Sequence, residues 1–308
     1  MPKDKIKIVF TQIFYPLTMG SYFLAALEAR DDVELYTVGP FSGTWIPWLG
    51  GMNLPQRYVK VPDFPMNIDL AQRSADPTIL ESKLPWKPDL WFGVDAGFYW
   101  NRKPKDGKVI YIGTDPHVLN YADRRTKCDI FYNMQKCYLA PGDTYLPYAY
   151  SKKWHYPVQH DEYEFDVCCI GAPYQHRNEQ IQRLRSKGLR VYYEVGPVFN
   201  EYREIFTRSK IGLNWSTMND LNARHFELPA MKVPMVASWV PDANLFFKTG
   251  DDYFAFKSLD DSLFNIDYLL NHDKERLEMA EHAYQTVTEA KHSYEDRVEM
   301  VLKDTGLL

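Results

Sequence analysis

Short apolar runs, several of them nearly unbroken, alternate along this chain with longer stretches whose apolar residues recur at helical spacing. Runs rich in Val, Ile and aromatic residues and bounded by Gly, Pro, Asn or Asp predict strands buried on both faces, and the stretches between them predict covering helices. In the first half the predicted strands are Lys5 to Phe10, Val33 to Val38, Leu90 to Val94, Val109 to Ile112, Ile130 to Asn133 and Tyr138 to Ala140, with a helix over Ser21 to Ala29. The strand–loop–helix–strand order at the N-terminus begins a doubly wound α/β domain. Gly20 stands where the first loop becomes a helix, a place for a tight turn or for close approach of a ligand to the backbone.

The second half repeats the alternation. Strands are expected at Asp166 to Gly171, Leu189 to Glu194, Ile211 to Asn214 and Pro234 to Ala237, and helices at 178–186, 200–208 and 226–231. Amphipathic segments at 260–270 and 272–290 follow, and Ser293-x-x-Asp296 resembles a capping box opening a last helix to about Leu302. Between the halves, 146–165 is polar and aromatic, contains Pro147 and Pro157 and shows no period, so it reads as a linker. Two doubly wound α/β domains result, 1–150 and 151–308, and ligands of such sheets bind at the carboxyl ends of the strands.

The bulk composition narrows the class. With 45% apolar and 25% charged residues the chain is a soluble globular protein, and a net charge of −5 gives no overall basic field for nucleic acid. No run approaches the roughly 18 apolar residues of a membrane span, and Met1-Pro2-Lys3-Asp4-Lys5 leads straight into a strand, so a cytoplasmic protein is expected. Cys128, Cys137, Cys168 and Cys169 lack the spacing of a zinc pair and read as reduced core residues. No Asp-x-Asp pair lies in the cleft-forming loops, so neither a metal nor a cofactor is expected. The aromatic content is high (22 Tyr, 17 Phe, 8 Trp), and the Trp45/Trp48 loop within 41–51 reads either as core packing or as an acceptor platform for sugar rings.

Candidate chemistry gathers at strand ends. Gly171-Ala172-Pro173-Tyr174-Gln175-His176-Arg177 joins a strand to a helix, where amides and Arg177 suit a pyrophosphate; Arg177 as a solvated first-turn residue is the alternative. Asn214, Asn219 and Asn222 cluster with Asp220 around the next strand end, as a hydroxyl-rich ligand requires. Arg224 and Glu227 share one helical turn, either as an exposed i,i+3 ion pair or as a cation for a diphosphate beside a carboxylate for ribose hydroxyls. In the first half, Asp115-Pro116-His117 follows an apolar strand.

Taken in order, Asp166-Val167 to Gly171 with Arg177, Ser209 to Asn214, Arg224-His225-Phe226-Glu227, Phe246 to Gly250 and His292 to Arg297 resemble the C-terminal domain of group-1 GT-B glycosyltransferases, closest to the spore-maturation-protein type. The resemblance covers roughly 165–300. It implies two Rossmann-like domains facing each other across a cleft, with C-terminal helices packing back on the first. It implies donor contacts from Gly171, Arg177, Asn214, Asn219, Asn222, Arg224 and Glu227, with Glu227 on the ribose. Asp115 and His117 would then be catalytic, His117 as general base or donor-sugar contact and Asp115 as orienter or acceptor contact.

The expected reaction is metal-independent transfer of a sugar from a nucleotide-diphosphate sugar, with UDP-sugar the expected donor, to a hydroxyl of a saccharide, protein, small molecule or modified DNA base. DNA is disfavoured by the net charge, though Arg102-Lys103, Lys105 and Arg124-Arg125-Lys127 offer a local basic track. Many relatives carry a glutamate where this chain has Asn219, which keeps open a sugar-nucleotide epimerase and a non-catalytic sugar-binding or surface-maturation protein.

Overall fold

The apolar runs at the centre of each half become the inner strands of two parallel sheets. In this computed structural model, residues 5–14, 18–40, 45–46, 52–53, 66–70, 74–94, 99–216 and 218–308 are described. The chain divides into one unit of Met1–Pro147 with Tyr294–Leu308 and a second of Tyr148–Ser293. The sequence places the boundary near 150 and gives the terminal helices to the second half with a return to the first.

The first unit runs β1 (Ile6–Thr11), α1 (Gly20–Glu28), β2 (Val33–Gly39), a short hairpin of β3 (Trp45–Ile46) and β4 (Met52–Asn53), β5 (Ile68–Asp69), β6 (Ser74–Ala75), α2 (Pro77–Glu81), β7 (Leu90–Val94), β8 (Tyr99–Trp100), β9 (Lys108–Gly113), α3 (Ala122–Arg125), β10 (Ile130–Asn133) and β11 (Thr144–Tyr145). Among the described residues its main sheet has the order β11-β10-β9-β7-β1-β2-β5, parallel at every pairing. Strand β7 (Leu-Trp-Phe-Gly-Val) is buried at every position, as an inner strand covered on both faces must be. A Cβ on Gly20 would lie 1.6 Å from Gln12 Oε1, so a larger residue there would have to displace the buried Gln12 amide.

The predicted strand at Tyr138 to Ala140 is absent, and Lys136–Tyr138 forms a 3₁₀ turn instead. Asn133 Nδ2 donates to Tyr138 O (2.9 Å) and Asp143 Oδ2 (3.1 Å), and Ala140 N donates to the same carboxylate oxygen (2.9 Å). This polar knot folds the segment back, and β11 becomes the edge strand.

The second unit runs β12 (Phe165–Ile170), α4 (Gln175–Ser186), β13 (Val191–Glu194), α5 (Phe199–Thr207), β14 (Ser209–Asn214), α6 (Arg224–Ala230), β15 (Met235–Ser238), β16 (Phe254–Phe256), α7 (Leu259–Asn271) and α8 (Asp273–Glu289). Its order is β13-β12-β14-β15-β16, again parallel throughout. Helix α7 starts on a capping box in which Ser258 and Asp261 satisfy each other's backbone amides. Helix α8 turns Arg276, Met279, Ala280, Ala283 and Val287 inward at helical spacing and packs on α6.

The last helix, α9 (Tyr294–Asp304), returns to the first unit. Its Tyr294 ring meets Phe23 of α1 edge-on at 4.9 Å, a contact worth about 1 kcal/mol beyond its area. Tyr132 Oη donates to Asp304 Oδ2 (2.9 Å), and the buried Arg297 donates from Nε to Pro147 O (2.8 Å). The thiols are all free, but only Cys168 and Cys169 are core residues; Cys137 is exposed and Cys128 half-buried.

Candidate functional site

Strand β14 ends in Asn214, which is fully buried and therefore needs every polar atom of its amide occupied. Asn214 and Asn222 pair reciprocally, each Nδ2 donating to the other's Oδ1 at 3.0 Å. Asn214 Oδ1 also accepts from Arg224 Nε (3.1 Å), and Asn214 Nδ2 lies 3.1 Å from His225 Nδ1. Asn222 Oδ1 accepts from Arg224 N (3.2 Å), which satisfies one of the free amides at the start of α6. The strand end and the helix start are thereby locked together, and among the described residues the Arg224 guanidinium is held by its Nε edge.

That guanidinium is aimed at Gly171. A Cβ on Gly171 would sit 2.8 Å from Arg177 Nη1 and 3.4 Å from Arg224 Nη2, so both cations converge on the turn that follows β12. Arg177, 5% exposed, is the third residue of α4, and its Nη1 and Nη2 donate to Ala172 O (3.1 Å) and Trp215 O (2.5 Å). Its Nε has no partner among the described residues, and Tyr174 lies beneath it with the ring centre 5.0 Å from Cζ. Burial, together with the like charge of Arg224, shifts the Arg177 pKa downward. Two cations so close, held by carbonyls and an amide rather than by carboxylates, form a site that an anion would stabilise.

Glu227 lies one turn into α6, a helix buried at His225, Phe226, Glu227, Leu228, Pro229 and Ala230. It is 4% exposed, and its Oε2 accepts from Tyr202 Oη at 2.7 Å. Its Oε1 lies 3.9 Å from Nε2 of His155, which is 1% exposed. Burial raises the Glu227 carboxyl to about 7 against the opposing effects of the Tyr202 hydrogen bond and the Arg224 charge. Among the described residues no ion pair joins Arg224 to Glu227, because their side chains leave the helix toward different partners. The exposed i,i+3 pair that spacing allows is therefore not formed.

Tyr202 and His155 were not legible as site residues. They are brought in by a wedge: Phe199 opens α5 at φ 52°, a strained value for a bulky residue, and its ring meets Trp154 at 4.4 Å. That contact ties the 154–155 segment to α5 and seats His155 against Tyr202, ring centres 5.8 Å apart. The stretch read as a linker thus contains Tyr148, Trp154 and His155 as buried residues. The sequence signal was the density of aromatic residues without a period.

The other candidates stand apart from this network. Asn219 is exposed and takes φ 57°, a backbone state that asparagine tolerates better than most residues, and it holds the turn ahead of Asn222. In the first unit, Asp115 and His117 follow β9 and are half-buried. Thr114 Oγ1 donates to Asp115 Oδ2 (2.8 Å) and Asp115 N donates to Tyr121 Oη (3.1 Å), which fixes the Asp115 loop. His117 packs near Tyr138, ring centres 6.0 Å apart. Trp45 is described only through its backbone in the β3–β4 pairing, and Trp48 lies outside the described residues.

Most of the basic track is neutralised in place. Arg102 pairs with Asp76 (2.7 Å), Lys103 with Asp129 (2.6 Å), Arg125 with Asp143 (2.6 Å) and Lys127 with Asp123 (2.7 Å). No helix among the described residues is long and apolar enough to cross a membrane.

Comparison with known proteins defines the class of fold. Residues 152–303 match the family model described as Glycosyl transferase-like. No curated protein matches the sequence. Among solved structures, a glycosyltransferase from Rickettsia africae superposes with a TM-score of 0.64 at 10% identity, covering 98% of this chain and 98% of that one. Anabaena HepE in complex with UDP-glucose gives 0.63 at 11% identity, covering 99% and 100%. An alpha-glucosyltransferase in complex with UDP and a 13-mer DNA containing an HMU base gives 0.62 at 11% identity, covering 98% and 99%. At these identities the likeness speaks for the fold, which is the α/β GT-B architecture with its two Rossmann-like sheets.

Proposed function

We propose that this protein is a glycosyltransferase that moves a sugar from a UDP-sugar to an acceptor hydroxyl. One observation carries the reading: Arg177 and Arg224 converge on Gly171 at the end of β12, and a buried carboxylate, Glu227, lies one helical turn behind Arg224. A diphosphate fits the first feature and a ribose diol fits the second. The glycosyl-transferase-like match over 152–303 and the UDP or UDP-glucose bound to two of the structural neighbours support that choice of donor.

In this reading the donor's diphosphate oxygens accept from the Arg177 and Arg224 guanidiniums beside Gly171, whose own amide is taken up by Glu194 O at 3.0 Å. As the bond to the anomeric carbon breaks, negative charge grows on the departing diphosphate, and the two fixed cations stabilise it there. We assign no metal to the step, since two guanidiniums supply the positive charge it needs. Asp115 and His117 are proposed to act on the acceptor side, Asp115 orienting the acceptor hydroxyl and His117 taking its proton.

A thermal-shift panel of UDP, GDP, TDP and their sugars tests the donor assignment. UDP compounds should stabilise the wild type, and Glu227→Ala should abolish the response; indifference of the wild type to all of them sinks the reading. Incubation with the responding donor and no acceptor separates transfer from epimerisation, since only an epimerase converts the sugar alone. Binding without turnover across a broad acceptor screen would instead favour a non-catalytic sugar-binding protein, the role that Asn219 leaves open.

A further inference from the structure

The Glu227 carboxylate is surrounded in a way that the proposed donor contact does not itself require. Among the described residues Tyr202 Oη donates to it from α5, Arg224 acts on it from its own helix, and His155 Nε2, from the segment before β12, lies 3.9 Å from Oε1, beyond hydrogen-bond distance. Arg203, next to Tyr202, acts in turn on His155. The His155 ring is oriented by the backbone, because Ser151 N donates to His155 Nδ1 at 3.0 Å. An amide N–H can only donate, so Nδ1 is the acceptor and the proton of the neutral ring is on Nε2, the atom nearest Glu227 Oε1.

We propose that His155 is a positioning residue of the donor site: its Nε2–H, set by the Ser151 amide and 3.9 Å from Glu227 Oε1, adds an electrostatic contact to the Tyr202 hydrogen bond and so helps keep Glu227 an ionised, correctly turned acceptor for a ribose diol. The inference rests on the donor reading above and adds to it a residue that touches no substrate. Burial and the Arg203 charge depress the His155 pKa to about 3, so the ring is a neutral donor at any pH where the protein would be assayed. Glu227 is then the group that titrates. A diol donates two O–H groups, which a carboxylate accepts well and a protonated carboxyl accepts poorly. Each donor aimed at Glu227 favours its ionised form and extends the range over which the donor binds.

Packing alone predicts something different. A buried histidine that merely fills space can be replaced by phenylalanine at a cost that is the same at every pH.

The experiment is calorimetric titration of UDP into the full chain between pH 5.5 and 9. For the wild type, affinity should fall as pH drops below about 7. His155→Phe should move that acid limb upward by about half to one unit, which is about two- to fivefold weaker binding at pH 7 with the two proteins converging at pH 9. His155→Gln, which restores an N–H donor, should recover most of the shift. A His155→Phe curve parallel to wild type overturns the proposal, whether or not affinity is lost uniformly. If the phenylalanine variant does not fold, nitrogen NMR of the wild type decides: a proton on Nδ1, or a charged ring at pH 7, overturns it. Failure of the wild type to bind UDP at all counts against the donor reading itself, so the two failures are distinguishable.

Discussion

Tyr202 Oη donates a 2.7 Å hydrogen bond to Glu227 Oε2 from α5, which packs on β14 as α6 does. The contact matters because Glu227 is a carboxyl group within a buried helix, where an unpartnered charge would be expelled by protonation. Burial pushes it to about 7 even with this donor in place, so it stands near its titration point at neutral pH.

The stability of the ligand-free protein should therefore depend on Glu227. Its folded pKa lies above its ordinary value of 4.5, so the folded state holds the proton more tightly and stability falls as pH rises from about 4.5 to about 7. Glu227→Gln removes that loss. Urea denaturation without donor should show the variant more stable than wild type at pH 8, by on the order of 3 kcal/mol, and close to it at pH 4.5. A constant gap across that range would show that Glu227 titrates normally.

His225 works in the opposite direction. Burial holds it down to about 4, so its contribution is complete above the ordinary histidine value near 6.5 and is lost as pH falls through 4. His225→Gln keeps an acceptor for Asn214 and cannot be protonated. The wild-type advantage over this variant should shrink steadily between pH 7 and pH 4 in melting experiments.

Gly171→Ala should damage the site and strain the turn. Gly171 takes φ 158°, a value alanine rarely adopts, and the added Cβ meets the far end of the Arg177 side chain at 2.8 Å, so a guanidinium must move. We expect a lower melting temperature together with a loss of UDP affinity of about tenfold or more. Unchanged affinity would place the diphosphate elsewhere.

Asn214→Ala removes the acceptor of Arg224 Nε, while Asn222 Nδ2 keeps Ser216 Oγ at 3.3 Å. A donor left unpaired in that way costs about 1–3 kcal/mol, so a loss of that size is expected by chemical denaturation. UDP affinity should fall as well, because Arg224 loses the bond that aims it.

Asp115→Ala separates the two halves of the chemistry. Its loop belongs to the first unit and the donor network to the second. Turnover should drop at least a hundredfold while the Kd for UDP stays within a factor of two of wild type, as expected for loss of a group acting on the acceptor. A parallel loss of UDP binding would place Asp115 on the donor instead.

Much of the fold was legible because its cause is local. An inner strand of a parallel sheet has apolar groups on both faces, so β7, β9, β12 and β14 announce themselves as apolar runs. The spacing of Arg224 and Glu227 put them on one turn for the same reason. Where the local signal was weak, the reading slipped. Tyr138 to Ala140 looks like a strand, but the Asn133 and Asp143 side chains take its backbone partners and turn it aside. Within 148–155 only Lys152 and Lys153 are exposed, and the burial of the rest comes from what folds over them, so it leaves no period along the chain.

Local order along the chain suffices for two parallel α/β sheets, the strand ends at Gly171 and Asn214, and a cation and a carboxylate on the same helical turn. Backbone period and the partition of apolar side chains from water set these, and both act over a few residues. Where those two charges point depends on packing between elements far apart in the chain. Arg224 turns to the Asn214 amide and converges with Arg177, while Glu227 turns away to Tyr202 and His155. A buried charge persists only where donors from elsewhere in the chain meet it, and which donors arrive is set by how the strands and helices stack.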